Sequence, residues 1–526
     1  MDFEFRISDF SLKSISLEAS KNQSGSSILF RADASADIGT GHVMRCLALA
    51  QRLIDRGGQA IFAMSEVTPK LQERLEDEKC KIIKLSSQPY GEEDVKESSN
   101  IAKNVNALCT VIDGYNFGAK YQRLWKKTGA RTLFVDDYGH SGYYCCDFVL
   151  NQSLFAHEAL YRERDLQTKL LLGTSFVMLR REFLHFERGK RRAPDLAKHI
   201  LVTLGGADIA NVTRTVIETV QKLKMRGTET VVVVGGSNPN IKELQKIVDE
   251  SPVAMKLLYN IKNMPELMQW ADLAVSASGT TCYELSYMGV PTIAIIIADN
   301  QVAFAEQMDA AGSIKSLGRP SPIIENQLSM ELERMITDQT ARTAMIEKQS
   351  ELVDGLGADR VLMHVLGEPM MIREVRPLDC GLLFEWANDP AARSVSFSSG
   401  TITMEEHEKW FKEKLNDENS FIFIGIDREE NEVGVVKFDV DADESTVSIN
   451  VAPDFRGKGF GKMLLKLACG RFSEQSHVRA INAYVKPENA ASINLFEKGG
   501  FSNKGLTEIK GQKALHFVKS AVILVS

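Results

Sequence analysis

The chain is poor in the features that would place it in several large functional classes. Its eight cysteines (Cys46, Cys80, Cys109, Cys145, Cys146, Cys282, Cys380 and Cys469) are scattered over 526 residues without a CxxC pair. That spacing excludes a four-ligand zinc cluster and argues for buried thiols in a reducing compartment. Nowhere do about 18 apolar residues run uninterrupted, the minimum for a membrane-spanning helix. The first residues, MDFEFRISDFSLKSISLEASKNQSGSS, also lack the apolar core of about 7–15 residues that a signal peptide needs. A cytoplasmic protein is expected. Lys and Arg total 63 against 70 Asp and Glu, a net charge of -7 with no long basic block. Neither nucleic acid nor a membrane is therefore an expected partner. No short-period repeat is visible. Small molecules remain as partners, and nothing in the composition sets an oligomeric state.

What is present is a chain long enough for about three domains at roughly 150 residues each. Residues 1–26 are polar and serine-rich and are expected to form a disordered tail. From 27 to 185, short apolar runs (SILFRADA, AIFAMS, KIIKL, CTVIDGY, RTLFVDD, CDFVLNQ) alternate with helical patterns. That alternation implies crossover connections and a parallel sheet. A charged stretch, RREFLHFERGKRRAPDLAKH, reads as a surface linker. A second α/β series occupies 186–366 (HILVTLGG, TVVVVGG, VAMKLLYNI, LAVSASG, PTIAIII). From about 370 to 526 the grammar changes: the helical patterns LLFEWAND and MEEHEKWFKEKL come first, then the consecutive strands FIFIGID, EVGVVKFDV and TVSINV. This is the signature of an antiparallel α+β unit.

In RADASADIGTGHVMRCLALAQRL, Val43, Leu47, Ala50 and Leu53 share one helix face. Gly39 and Gly41 therefore fall in a strand-to-helix turn and His42 opens the helix. Ligands of open α/β sheets bind at such turns, where free N–H groups and the helix dipole favour anions. The same dipole disfavours an imidazolium, so His42 is read either as a neutral general base or as a capping or packed histidine, with Asp33 and Asp37 flanking the turn. In the second series, Ser278, Gly279, Thr280 and Thr281 follow the strand LAVSA. They offer hydroxyls and backbone donors to a diphosphate, or form an ordinary cap. Glu284, in the first turn after them, either accepts the hydroxyls of a ribose or is a dipole-favoured surface acid. A similar turn, TLGGADIAN, adds Gly205, Gly206 and Asn211 as weaker candidates.

Together, RADASADIGTGHVMRC and SASGTTCYELSYMGVPTIAI, followed by NQ, resemble the UDP-sugar hydrolases of pseudaminic acid biosynthesis, relatives of the GT-B glycosyltransferases, over roughly residues 27–365. The resemblance implies two Rossmann-like domains in GT-B arrangement. It also implies hydrolysis of UDP-2,4-diacetamido-2,4,6-trideoxy-β-L-altropyranose to UDP and free sugar with inversion. It places the catalytic residues on His42 and Asn300. Its substrate contacts fall on Arg31, Asp33, Gly39, Gly41, Tyr115, Gly205, Ser278, Gly279, Thr280, Thr281, Glu284 and Gln301, with Asp113 beside Tyr115 in VIDGYNF. No metal is expected: a DxD pattern occurs clearly only in FDVDADEST, where it reads as a solvated hairpin.

In the third unit, STVSINVAPDFRGKGFGKMLLKLAC sets a strand ending at Val451, the turn Arg456, Gly457, Lys458, Gly459, Phe460 and Gly461, and then an amphipathic helix. A basic glycine turn of this kind can hold a pyrophosphate. The pattern RxxGxG resembles the acetyl-CoA loop of GNAT acetyltransferases, and AYVKPENAASINLFEKGGF resembles their second conserved segment, with Asn489 near the cofactor arm. The implied co-substrate is acetyl-CoA. The implied reaction is 4-N-acetylation of UDP-4-amino-4,6-dideoxy-β-L-AltNAc, one step before the hydrolysis. Where many relatives have a tyrosine, this chain has Phe496. Tyr484 or the incoming ammonium proton then serves the leaving thiolate, or acetyl transfer is impaired. Asp439, Asp441, Glu444 or a bound water are the candidate bases. Two other readings stand beside this bifunctional enzyme: a GT-B transferase using an acceptor other than water, and a nucleotide-sugar binding protein with a non-catalytic acetyl-CoA domain.

Overall fold

The computed structural model describes residues 25–35, 38–186, 191–205, 208, 210–224, 227–236, 238–259, 261, 263–321, 323–398 and 400–520. The expected tail at 1–26 lies outside them except for its last two residues, and Asp37 and Gly206 lie outside them as well. The chain divides into two compact units between Leu366 and Gly367.

The first unit holds two parallel sheets. One consists of β1 (Ser27–Arg31), β2 (Gln59–Met64), β3 (Lys81–Lys84), β4 (Ala107–Asp113), β5 (Thr132–Val135), β6 (Phe148–Asn151) and β7 (Lys169–Leu172), in the order β3-β2-β1-β4-β5-β6-β7. The other consists of β8 (His199–Thr203), β9 (Glu229–Val234), β10 (Met255–Tyr259), β11 (Leu273–Ala277), β12 (Thr292–Ile295) and β13 (Lys315–Ser316), in the order β10-β9-β8-β11-β12-β13. The strands read as unbroken apolar runs because both faces of each sheet are covered. Leu29 and Ile112 pack on one side of the first sheet, Phe30 and Val111 on the other. Both sheets reverse their strand order once, between β1 and β4 and between β8 and β11. At such a point neighbouring crossovers leave on opposite faces and open a crevice at the carboxyl ends of the strands.

Three local expectations are corrected. β1 ends at Arg31 rather than near Ala34. The charged stretch after residue 180 is no surface linker in its first turn. Phe183 is fully buried among Val177, Leu285 and Val353, and Arg181 is ion-paired to Asp55 and Glu78. The helix Gly357–Leu366, which closes the second series in sequence, packs Ala358, Val361, Leu362 and Val365 into the core of the first sheet. Its entry needs glycine, since a Cβ at Gly357 would collide with the Val177 carbonyl.

The other unit is a mixed sheet of β14 (Met370–Glu374), β15 (Ser420–Asp427), β16 (Glu432–Asp441), β17 (Glu444–Val451), β18 (Ala480–Val485), β19 (Ser502–Ile509) and β20 (Gln512–Ser520), in the order β14-β15-β16-β17-β18-β20-β19. A strand, β14, precedes the helices here. The sequence pattern hid it, because five residues of mixed polarity carry little periodic signal. FDVDADEST is the β16–β17 hairpin, as expected. β17, the helix Phe460–Gln475 and β18 form one parallel crossover, but its ladder runs only from Glu444↔Ala480 to Thr446↔Asn482. Beyond that point the two strands separate.

Candidate active site

His42 is the second residue of the helix Gly41–Asp55, which starts at the crossover leaving β1. Gly39 makes the turn with φ +79° and donates its N–H to the Ser35 carbonyl. Across the point of strand reversal, β4 ends in Asp113, and its Oδ1 lies 2.7 Å from His42 Nδ1. Burial alone would push this carboxyl up, but Arg45 and His42 outweigh it and hold Asp113 well below the usual carboxylate range. An ionised Asp113 can only accept, so Nδ1 carries the proton and Nε2 is left as the ring's acceptor. Asp113 thus fixes the tautomer and, against the helix dipole, faces the charge that a proton on Nε2 would create.

Arg45, one helical turn after His42, grips both oxygens of Asp113 at 2.9 and 2.8 Å and reaches Asp137 at 2.5 Å. Asp137 in turn accepts from the Tyr115 hydroxyl at 2.8 Å. The Tyr115 ring stands edge-on to His42, with centroids 4.6 Å apart. Burial and Asp137 push the phenol up, keeping it protonated. Arg45 and a hydrogen bond with Asn300 oppose that shift. Asn300 sits just beyond β12, in the single turn Asp299–Gln301. Residues from the two sheets therefore meet at one phenol.

The remaining expected contacts fare unevenly. Arg31 and Asp33 are both buried: Arg31 engages Asp94, Ser65 and Asp33 with its guanidinium, and Asp33 accepts from the Ser65 and Glu66 amides. These contacts hold the loop after β1. Gly41 starts the helix with open space around it. In the second sheet, Gly205 follows β8 with φ +84° and nothing near it. Ser278 is buried with an unpartnered hydroxyl. Gly279 lies 3.8 Å, at an added Cβ, from Gln301 Nε2, and Thr280 and Thr281 open the helix Thr281–Tyr287. Gln301 Oε1 accepts from the Ile297 amide. Glu284 pairs one oxygen with Arg180 at 2.9 Å; burial pushes its carboxyl up and Arg180 opposes this.

Sequence reasoning passed over Arg45 and Asp137 and left Asp113 without a role. The signals were there: Arg45 is three residues from His42, on the same helix face, and Asp113 and Asp137 are the acids that end or follow apolar strands. Among the described residues no group of three His, Cys, Asp or Glu side chains could hold a metal ion.

In the mixed sheet, Gly457 (φ +74°) and Gly459 (φ +88°) form the turn after β17, with no atom within 4 Å of an added Cβ. Arg456 fastens that turn through the Val451 carbonyl at 3.0 Å and Asp389 at 2.8 Å. Lys458 lies over the Phe455 ring, and Phe460 packs edge-on against the same ring. Gly461 allows Val451 to approach, where a Cβ would stand 3.2 Å from Val451 Cγ2. Asn489 caps the helix Ala490–Lys498 by accepting from the Ser492 amide. Phe496 is buried against Phe501 and Phe517.

Residues 199–356 match the model of the glycosyltransferase family 28 C-terminal domain, and residues 370–502 that of the acetyltransferase (GNAT) domain. The chain is a glycosyltransferase-28-type region fused to a GNAT domain. An uncharacterized protein of Methanocaldococcus jannaschii is 24% identical over 480 residues, 89% of this chain and 95% of its own length, a match longer than either unit. The UDP-2,4-diacetamido-2,4,6-trideoxy-beta-L-altropyranose hydrolase of Campylobacter jejuni is 26% identical over 287 residues, 54% of this chain and 97% of the hydrolase. A solved spermidine N-acetyltransferase of Vibrio cholerae aligns at 20% identity with a TM-score of 0.28, covering 30% of this chain and 99% of that one. No helix among the described residues is long and apolar enough to cross a membrane.

Proposed function

We propose that the chain is a bifunctional enzyme of pseudaminic acid biosynthesis. Its GNAT domain acetylates the 4-amino group of UDP-4-amino-4,6-dideoxy-β-L-AltNAc with acetyl-CoA. Its glycosyltransferase-type region then hydrolyses the resulting UDP-2,4-diacetamido-2,4,6-trideoxy-β-L-altropyranose. The observation that carries the hydrolase reading is the meeting of His42, Tyr115 and Asn300, with His42 Nδ1 held by Asp113.

In this reading His42 Nε2 takes a proton from water as the water oxygen attacks the anomeric carbon. The bond from that carbon to the diphosphate oxygen breaks and its electron pair leaves with UDP, so the configuration inverts. Backbone donors and hydroxyls at Ser278–Thr281 and Gly205 face the developing charge, and Glu284 accepts from the ribose. Tyr115, kept as a phenol, and Asn300 orient the sugar. The open, positive-φ turn at Gly457–Gly459 with Lys458 fits the diphosphate of acetyl-CoA, and the separation of β17 from β18 leaves strand edges for its extended arm.

Incubating the UDP-diacetamido sugar alone tests the hydrolase. Prompt release of UDP and free sugar is expected, and a stable substrate that needs an added acceptor would make the region a transferase instead. Mass spectrometry of products from acetyl-CoA and the 4-amino UDP-sugar tests the sequence of both steps. Binding of both ligands without turnover would leave only a binding protein.

A further inference from the structure

With Phe496 buried in the core, the acetyl-transfer site lacks a titratable group at that position, and the acids marked in the sequence are engaged or lie at the exposed hairpin end. Asp439 is held by Lys414 at 2.7 Å, Asp441 sits exposed at the hairpin end, and Glu444 accepts from Asn482 at 2.8 Å. The mixed sheet offers another candidate. Ile481, Ala483 and Val485 of β18 point into the core with the helix Phe460–Gln475, so by strand alternation Asn482 and Tyr484 lie on the opposite face. His516 pairs with Tyr484 across β18 and β20. It stacks on that ring with centroids 4.9 Å apart and an interplanar angle of 15°. Asn482 is the last residue of β18 paired to β17, so Tyr484 and His516 stand just past the point where the strands part. Both are half-buried.

The hydrogen bonds assign the protons. An ionised Glu444 only accepts, so Asn482 must present Nδ2 to it and turn Oδ1 toward His516. Oδ1 lies 2.8 Å from His516 Nε2 and accepts only, so Nε2 carries the hydrogen. In the neutral form of the ring the lone pair is then on Nδ1, which has no hydrogen-bond partner among the described residues. Glu444 and Asn482 thus do for this ring what Asp113 does for His42 by direct contact.

We infer that His516 is the general base of acetyl transfer, its Nδ1 taking a proton from the ammonium group of the acceptor at the fork between β17 and β18. The inference rests on the acetyltransferase reading above. The freed amine nitrogen attacks the thioester carbonyl carbon, the C–N bond forms as the C–S bond breaks, and the sulfur leaves with the electron pair as a thiolate. The second nitrogen-bound proton goes to that thiolate, giving the CoA thiol, and His516 passes the first proton to water.

The test compares wild type with His516→Ala and His516→Gln, using acetyl-CoA and the 4-amino UDP-sugar. The expected result is a fall in acetyl-transfer kcat of about 10²–10⁴-fold. The KM for acetyl-CoA and the UDP-releasing activity should be unchanged, and added imidazole should restore part of the rate in His516→Ala only. Nitrogen-15 NMR of the wild-type ring should show hydrogen on Nε2 and a bare Nδ1, independent of turnover. A retained rate, a loss that imidazole does not relieve, or hydrogen on Nδ1 in the spectrum would each overturn the inference. A wild type that binds acetyl-CoA but acetylates no amine would overturn the acetyltransferase reading itself, and the inference with it.

Discussion

The two parallel sheets of the first unit share one topology and furnish it in opposite ways. Where the first sheet reverses its strand order, the crevice is packed with charge: buried Asp113 and Arg45 and half-buried Asp137 form a chain that ends in His42 on one side and Tyr115 on the other. Where the second sheet reverses, the corresponding loops hold glycines, small hydroxyls and the ends of short helices, with one paired acid, Glu284. A buried ion network is rigid because breaking any link strands a charge in a poor solvent, and rigidity suits groups that must aim a proton. Backbone donors suit a diphosphate, whose charge is spread over several oxygens. In the proposed function the same crossover geometry supplies a reacting side in one half and a gripping side in the other, and the difference lies in side chains.

That division can be attacked directly. The largest effect is expected from His42→Ala, which should lower the rate of UDP release by about 10²–10⁴-fold while UDP affinity, measured by calorimetry, stays within a few-fold. Loss of UDP binding would make His42 a ligand contact and erase the contrast between the halves. Arg31→Leu should lower unfolding free energy by about 3–5 kcal/mol in denaturant titrations, because it leaves Asp94 and Asp33 buried without their cation. A stable Arg31→Leu protein with impaired substrate binding would return Arg31 to the site. From the gripping side, Glu284→Gln should raise the KM for the UDP-sugar by about tenfold, the equivalent of about 1.4 kcal/mol, with kcat little changed.

A smaller effect concerns acid. Asp113 is depressed in the folded protein relative to an unfolded value of about 3.9. It therefore contributes stability that is fully present above that value and lost as pH falls through the folded value. The stability that wild type holds over Asp113→Asn should shrink in strong acid, as Asp113 takes up its proton. A gap that stays unchanged into strong acid would mean that Arg45 and His42 do not hold Asp113 ionised. In the GNAT domain, replacing Gly459 by leucine should abolish acetyl-CoA binding and spare UDP release, since φ +88° strains any side chain there. Loss of both activities would contradict independent active sites.

Much of this arrangement was legible in the chain. The alternation of Val- and Ile-rich runs with helical patterns gives the parallel sheets, and RADASADIGTGH and SASGTT mark the turns after β1 and β11, because the φ > 0 and close-approach demands of such turns leave few residue choices. The β17 loop was readable for the same reason. What stayed illegible was whom the polar residues face. Arg31 and Asp33 stand in the most specific motif of the chain, yet Arg31 turns inward to Asp94, 63 residues away, and Asp33 to Arg31 and the Ser65 and Glu66 amides. Asp137, an unremarked acid after a strand, becomes the partner of both Arg45 and Tyr115.

By itself the sequence determined local conformations: which turns need glycine and which helix opens with a histidine. Those choices depend on neighbours a few residues away, so they can be read along the chain. Only the tertiary structure decided that Asp113 fixes the proton on His42, that Asn300 reaches Tyr115 from the other sheet, and that His516 is oriented through Asn482 by Glu444. Hydrogen bonds and ion pairs act over about 3 Å in space, whatever the separation in sequence. Their partners exist only once the crossovers have brought distant strand ends together.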